Sequence, residues 1–156
     1  MLYLFSHMPE MIEAMPTTNQ LIETPLGLIE FSIAGRGVPI VFLHGGHSNC
    51  NETLCHKGLD LDKFQLITPS RPGYGSTPLA KHQTPRQAAD LIAALLEYLS
   101  IGKVIVYGIS AGGLTALAMA AYHPERVHKL ILASAVTKKW LHPQDQTYKI
   151  AQIIFR

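Results

Sequence analysis

A serine flanked by glycines is the residue pattern in this sequence with the clearest chemical meaning. The segment Gly108–Gly113 (GISAGG) follows an apolar run at 104–107 and precedes an alanine-rich stretch. Glycines beside a sharp strand-to-helix turn leave room where a β-carbon would collide with a neighbouring element. Such a turn lifts the hydroxyl above the carboxyl edge of a sheet, at a helix N-terminus that favours negative charge. The pattern predicts that Ser110 is a nucleophile and that the N–H of Ala111 binds the oxyanion formed on attack.

A glycine-rich turn of this kind can also bind a phosphate or form a plain tight corner. A dinucleotide-binding fingerprint places glycine where Ser110 stands, and a phosphate-binding P-loop requires a lysine that is absent here. The residues therefore favour a nucleophile, and the two alternatives stay open.

A second glycine pair lies in the segment Phe42–His47 (FLHGGH), directly after an apolar run. The pair lets the backbone approach a substrate and supplies another oxyanion-binding N–H, which we assign to Gly46. His44 has two interpretations, a general base or a residue that braces the loop through hydrogen bonds. Its place directly before the glycines favours the brace.

Strands and helices alternate around these motifs. Apolar runs between tight connections predict six strands, at 20–24, 28–34, 39–43, 64–68, 104–107 and 127–133. The first two are expected to pair as a β-hairpin. Helices are predicted at 85–99 and 111–122, a helical tendency at 49–58, and a loop at 69–78. Right-handed crossovers then give an α/β fold, with a mostly parallel sheet, an N-terminal antiparallel hairpin and helices on both faces.

The helix after residue 84 has marked start and stop signals. Thr84 is a candidate N-cap, Pro85 suits the first helical position, and Gln87 completes a capping box. Apolar residues at three- and four-residue spacing form one side of this helix, and Gly102 is the predicted stop.

Two cysteines, Cys50 and Cys55, lie near His47 and His56. Two cysteines this close are too few for a disulfide framework, so a reducing compartment fits best and we expect a cytoplasmic protein. The four residues allow a metal site to be imagined, but their spacing matches no standard zinc pattern. We therefore expect ordinary thiols in a loop, with no metal and no cofactor.

Composition and charge limit the possible partners. A chain of 156 residues is about one domain, and its formal net charge of +2 is scattered without a basic run. Nothing in it favours nucleic acid or an anionic membrane surface. The apolar start covers only five residues, which is too short for a signal peptide or a spanning helix. The expected partner is a small molecule.

Three segments together resemble the N-terminal part of proteins with the α/β-hydrolase fold. They are 44–46 (HGG), 71–76 (RPGYGS) and 108–113 (GISAGG), and the resemblance covers 20–136. It implies that Ser110 is the nucleophile, that Gly46 and Ala111 donate to the oxyanion, and that 71–76 forms the floor of the site. Proline-specific aminopeptidases of this fold often have proline where His47 stands, which weakens that substrate assignment.

The resemblance also divides the chain into a tail at 1–19, a partial core at 20–136 and the start of a lid region at 137–156. In this fold a catalytic acid and then a histidine follow later strands, but only the 20 residues from 137 to 156 remain. Asp145 lies in the lid region, and no histidine stands where the triad requires one. The sequence therefore predicts a truncated α/β-hydrolase fold.

These features predict a serine hydrolase-like protein that acts on a carboxylic ester, an amide or a related acyl compound. The alternative is a catalytically inactive fragment, or a binding module that keeps this half of the fold. In either case we expect the last strand to leave an unpaired apolar edge, through which copies of the chain can associate.

Overall fold

The computed structural model describes residues 18–53 and 57–137, together with Gln144 and Gln146. Its strands and α-helices are β1 (Thr18–Thr24), β2 (Gly27–Gly35), β3 (Val38–Leu43), β4 (Phe64–Pro69), α1 (Pro85–Tyr98), β5 (Val104–Ile109), α2 (Gly112–Tyr122) and β6 (Val127–Ala133), and a short 3-10 helix lies at Pro124–Arg126. The six strands form one sheet in the order β1-β2-β4-β3-β5-β6. The predicted α/β class is confirmed. The predicted tail and lid region lie almost entirely outside the described residues.

The antiparallel part of the sheet is the predicted N-terminal hairpin. β1 pairs with β2 from Thr18 opposite Ile33 to Thr24 opposite Gly27. Gly27 has a φ of +133°, and the hydroxyl of Thr24 accepts from the N–H of Leu26 at 3.2 Å. A glycine is suited to this turn because L-residues with side chains avoid that backbone region. β2 then pairs antiparallel with β4 and joins the hairpin to the rest of the sheet.

The other three strand pairs are parallel and form the central region. β3 pairs with both β4 and β5, and β5 pairs with β6. The last four residues of β3 and of β4 are all buried, as expected for strands covered on both faces. Their carboxyl ends, together with that of β5, meet at one edge of the sheet.

α1 begins as the sequence predicts, with Thr84 as N-cap and a capping box completed by Gln87. The predicted stop at Gly102 is wrong. The helix ends at Tyr98, and Ser100 takes the left-handed conformation with a φ of +56°. Its N–H donates to the carbonyl of Glu97, and the N–H of Ile101 donates to the carbonyl of Leu96, both at 2.9 Å. A serine therefore fills the position that glycine usually takes in this helix ending.

Both described α-helices lie on the same face of the sheet, since they pack against each other. The connection from β3 to β4 crosses the sheet in the opposite direction, so right-handedness places it on the other face. In its described residues, 44–53 and 57–63, this connection forms turns and no helix. The helical tendency predicted at 49–58 is thus not realised in the described part of that segment, and the described α-helices cover one face of the sheet.

The core lies between the sheet and the two helices and is almost entirely aliphatic. α1 contributes its predicted apolar side, and α2 contributes alanines and a methionine that let it approach the strands closely. The largest fully buried side chains of this core are Ile29, Phe31, Val41, Leu43, Ile67, Leu91, Ile92, Leu95, Leu96 and Met119.

β6 is the outermost strand at one side of the described sheet and pairs there only with β5. Ile131 and Leu132 on this strand are 41% and 38% exposed. An edge strand with apolar side chains offers unpaired backbone groups beside apolar surface. Separately, no helix in the described parts of the chain has the length and apolar character that crossing a bilayer requires.

Candidate active site

Ser110 lies in the turn between β5 and α2, and its backbone is left-handed with a φ of +48°. This conformation costs a non-glycine residue about 1 kcal/mol or more. The residue is exposed and lies at the carboxyl edge of the parallel strands. The sharp bend that the sequence predicts at this position is therefore present.

The glycines around Ser110 are required for space. A β-carbon on Gly108 would lie 2.6 Å from the Cβ of Ala116, and one on Gly113 would lie 2.6 Å from the Cβ of Ala135. Gly112 faces the end of β3 in the same way, with backbone atoms in the volume that a side chain would need. The strand and the helix can therefore approach each other closely enough to form the turn.

The main chain of Ser110 is held from both sides. Its N–H donates to the carbonyl of Ala133 at 3.2 Å, and its carbonyl accepts from the N–H of Val136 at 2.8 Å. The same carbonyl accepts from the N–H of Gly113 at 3.1 Å. The end of β6 and the residues after it therefore fix the orientation of the turn that carries the hydroxyl.

The glycine pair after β3 packs against this turn. A β-carbon on Gly45 would lie 3.3 Å from the Cβ of Ser110 and 3.9 Å from its Oγ. Gly46, the next residue, is exposed and has open space around it. Within the described residues, the N–H groups of Gly46 and Ala111 donate no hydrogen bond to another residue. The fold thus brings together the three residues that the sequence singled out, with two main-chain donors available.

Arg71 ties the loop after β4 to this glycine pair. Its Nε donates to the carbonyl of His44 at 2.8 Å, and its Nη2 donates to the carbonyl of Gly45 at 2.9 Å. Its guanidinium carbon lies 4.7 Å from the ring centre of Tyr74, in cation–π contact. The predicted floor of the site is thus a hydrogen-bonded support for the backbone at 44–46.

His44 is buried, and both of its ring nitrogens have partners. Nε2 accepts from the backbone N–H of Arg71 at 3.0 Å, so the ring proton is on Nδ1, which lies 2.8 Å from the carbonyl oxygen of Gly45. Burial lowers the pKa of His44 to about 4, and the charge of Arg71 acts in the same direction. A neutral ring whose nitrogens are both engaged braces the loop, as the sequence favoured, and cannot take the proton of Ser110.

Glu30 on β2 holds the opposite side of the Arg71 loop. Its carboxylate accepts from the hydroxyl of Ser70 at 2.7 Å and from the N–H and hydroxyl of Ser76 at 3.0 and 3.1 Å. Burial raises the pKa of Glu30, but these hydrogen bonds outweigh it and keep the pKa below its ordinary value. The glutamate therefore remains a carboxylate that pins both ends of the loop.

No sequence pattern predicts this role of Glu30, because an acidic residue in an alternating strand is usually an exposed one. For Arg71 a signal was present. An arginine beside prolines and glycines directly after a buried strand has a rigid backbone around it, which suits a residue with fixed hydrogen bonds.

No described histidine or carboxylate lies within hydrogen-bond distance of the Ser110 hydroxyl. Two of the histidines have partners elsewhere: His82 contacts the carbonyl of Leu26, and His123 pairs with Asp90 at 2.8 Å. Asp145, the acid considered in the sequence, lies outside the described residues. The described part of the chain therefore places the exposed Ser110 hydroxyl beside two unengaged main-chain N–H groups, and no described side chain near that hydroxyl could act as a base.

The cysteine–histidine group considered for a metal is only partly described, since Cys55 and His56 lie outside the described residues. Cys50 is buried as a free thiol, and burial raises its pKa. Among the described residues no group of three or more histidine, cysteine or acidic side chains could hold a metal ion.

Comparison with known proteins adds three findings. Residues 38–153 match a family model described as alpha/beta hydrolase fold. The chain is 45% identical over 130 residues to the uncharacterized hydrolase YcgS of Bacillus subtilis, a match that covers 83% of this chain and 46% of that protein. It is 35% identical over 99 residues to the proline iminopeptidase of Neisseria gonorrhoeae, covering 62% of this chain and 32% of that enzyme.

A solved structure agrees with the sequence matches. An alpha/beta hydrolase fold protein from Nakamurella multipartita superposes with a TM-score of 0.75 at 30% identity, over 85% of this chain and 47% of that one. The chain thus spans about half the length of this structure and of the Bacillus relative, and about a third of the iminopeptidase.

Proposed function

The chain belongs to the alpha/beta hydrolase fold family, and on that basis we propose that it is the nucleophile-bearing part of a serine hydrolase. The substrate in this proposal is a carboxylic ester, an amide or a related acyl compound. One observation carries it: the exposed, left-handed Ser110 stands at the start of α2 with two unengaged main-chain donors beside it.

The proposed reaction begins with Ser110. Its Oγ attacks the acyl carbon, the electron pair of the C=O bond moves to the oxygen, and the hydroxyl proton passes to a general base. The oxyanion accepts hydrogen bonds from the N–H groups of Gly46 and Ala111. The tetrahedral adduct then releases the alcohol or amine, and water hydrolyses the acyl-serine. The base and its acidic partner come from residues other than those described.

The main-chain donors supply much of the catalytic effect in this proposal. A preorganised donor aimed at a developing oxyanion is worth about 10²–10³ in turnover. The N-terminus of α2 adds a favourable potential for negative charge at the same point. Removal of the base leaves about 10³–10⁴ over the reaction in water, from the oxyanion site and substrate binding.

The sequence and the named relatives together support a broad substrate class and no single substrate. One relative is a peptidase by name, and peptide bonds are amides. His47 stands where proline-specific enzymes of the fold carry proline, so the proposal stops at acyl compounds. A reducing, cytoplasmic setting belongs to the same proposal and is supported by the free thiol of Cys50.

A second candidate function is a binding module without catalysis. The observation that favours it is the lack of a described histidine or carboxylate near the Ser110 hydroxyl. Without a base a serine is a weak nucleophile near neutral pH.

An activated fluorophosphonate distinguishes the two functions. In the expected reaction the Oγ of Ser110 forms a bond to phosphorus, fluoride leaves, and the proton passes to a base or to solvent. We expect one label per chain in the unmodified protein and none in S110A. S100A is the matched control, because Ser100 is also exposed and left-handed but lies after α1. A folded protein that takes up no label supports the binding module and rejects the hydrolase.

A further inference from the structure

We infer that Arg71 is a positioning residue for the oxyanion donor at Gly46, acting through the carbonyl of Gly45. This inference rests on the proposed function, since it concerns the donor that would stabilise the oxyanion. Four points lead to it. The carbonyl oxygen of Gly45 accepts two hydrogen bonds, and the peptide that joins Gly45 to Gly46 is planar. These hydrogen bonds strengthen the N–H of Gly46 as a donor, and the loop around Arg71 holds the guanidinium in place.

The carbonyl oxygen of Gly45 has two hydrogen-bond partners. Nη2 of Arg71 lies 2.9 Å from it, and Nδ1 of His44 lies 2.8 Å from it. A carbonyl oxygen has two lone pairs, so its accepting capacity is filled. Nε of Arg71 holds the preceding carbonyl, that of His44, at 2.8 Å. Two consecutive peptide groups are thus directed toward one guanidinium.

The orientation of the Gly45 carbonyl fixes the orientation of the Gly46 N–H. The two groups belong to one peptide unit, which is planar, and the described residues contain no cis peptide bond. In a trans unit the N–H and C=O bonds point in opposite directions, so the N–H of Gly46 is directed away from Arg71. It finds no hydrogen-bond partner among the described residues there and remains available to a ligand.

This positioning is needed because glycine does not hold the peptide by itself. Gly45 and Gly46 have no side chains, and the space around Gly46 is open. Glycine residues reach many backbone conformations at little cost, so a peptide between two of them can rotate readily. The two hydrogen bonds to its oxygen remove that freedom. The same bonds draw electron density toward the oxygen and strengthen the N–H as a donor.

Arg71 is itself held firmly enough to act in this way. Its guanidinium rests over the ring of Tyr74, and its backbone N–H is bound to His44. The two ends of its loop are anchored to Glu30 through Ser70 and Ser76. A lysine in its place would keep the charge but lose the planar pair of donors that reaches both carbonyls.

The test compares R71A, R71K and the control R36A. Arg36 is an exposed arginine whose ion pair with Asp62 lies outside this network, so its removal changes net charge equally. Labelling of Ser110 by a fluorophosphonate is measured with its maximal rate and its half-saturating concentration separated. The ¹H–¹⁵N resonance of Gly46 and the carbonyl ¹³C resonance of Gly45 are measured in the same proteins without any ligand.

We expect R71A to lower the maximal labelling rate by about 10- to 10³-fold, with a half-saturating concentration within about twofold of the original. R71K should lower the maximal labelling rate less than R71A does, and millimolar guanidinium should restore part of the rate in R71A. The Gly45 and Gly46 resonances should shift or broaden in R71A and stay in place in R36A. If R71A does not fold, the same comparison is made with R71K.

Two results would overturn the inference. One is an unchanged labelling rate in R71A. The other is a slower rate that guanidinium does not restore, with Gly45 and Gly46 resonances equal to those of the unmodified protein. If the unmodified protein takes up no label, the proposed hydrolase function fails. The resonances then decide alone whether Arg71 orients this peptide.

Discussion

The backbone N–H of Arg71 donates a hydrogen bond of 3.0 Å to Nε2 of His44. This contact fixes the tautomer of a fully buried imidazole, because the lone pair of Nε2 accepts the hydrogen bond and the ring proton is on Nδ1. Burial of the ring lowers the pKa of His44 from its ordinary value of 6.5 to about 4. Protonation of His44 in acid would remove the acceptor for this hydrogen bond, so the support that His44 gives to the loop is sensitive to acid.

Acid should destabilise the protein through His44. The unfolded chain protonates this histidine near pH 6.5 and the folded chain only near pH 4, so the unfolded state binds more protons between them. The free energy of unfolding is therefore highest above pH 6.5 and falls on acidification, by up to about 1.4 kcal/mol per pH unit. Urea unfolding at several pH values from 7 to 4.5 measures this slope.

The matched variants for this test are H44Q and H128Q. H44Q should show a flatter pH dependence than the unmodified protein. His128 is exposed on β6, so H128Q should retain the full slope. Equal slopes in H44Q and the unmodified protein would contradict the assignment, even though Glu30 adds its own loss of stability at lower pH.

Gly108 should not tolerate a side chain. In G108A the new methyl group would lie 2.6 Å from the Cβ of Ala116 and 3.1 Å from the carbonyl oxygen of Gly112. We expect a loss of about 1–3 kcal/mol in the free energy of unfolding, typical of overpacking. Chemical denaturation measures the loss. G102A is the control, because no atom lies within 4 Å of its new methyl group. Equal stability of the two variants would show that the strand and helix can move apart freely.

Replacement of Ser110 by glycine should stabilise the fold while it removes the nucleophile. Ser110 has a φ of +48°, a region that glycine adopts without strain. S110G should gain up to about 1 kcal/mol in the free energy of unfolding and lose all phosphonate labelling. S100G should gain a similar amount with labelling intact, since Ser100 has a φ of +56° far from the site. A loss of stability in S110G would mean that its side chain contributes to folding.

The apolar edge at β6 should promote association between copies of this chain. Sedimentation velocity over a range of concentrations measures the extent of association. I131K should lower it, because lysine on an edge strand opposes pairing with another strand. L79K is the control, since Leu79 is comparably exposed at 49% but lies in a loop. A monomer at every concentration, or an equal effect of both variants, would reject the prediction.

The parts of this fold that follow from local pattern could be predicted from the sequence. The buried strands, the Thr84 capping box and the turn at Ser110 depend on residues only a few positions apart. The end of α1 was harder, because it depends on Ile101 reaching the core beyond a strained serine. Local composition favoured Gly102 as the end of the helix, but the packing of the Ile101 side chain against the core places the end before it.

The support of the site could not be predicted, because it depends on long-range contacts. Glu30 meets Ser70 and Ser76 only after β2 has paired with β4. Arg71 meets Gly45 only after β3 and β4 lie side by side. The sequence marks Arg71 as part of a rigid loop after a buried strand, but it shows neither the partner of Arg71 nor that of Glu30.

Two of the hydrogen bonds that hold the main chain of Ser110 join it to Ala133 and Val136, which the ribosome adds after α2. A growing polypeptide that has emerged only as far as the second helix already carries the alcohol but lacks both anchors. In the proposed hydrolase, the orientation of this turn thus depends on the sixth strand and the residues after it, which are made only after the serine itself.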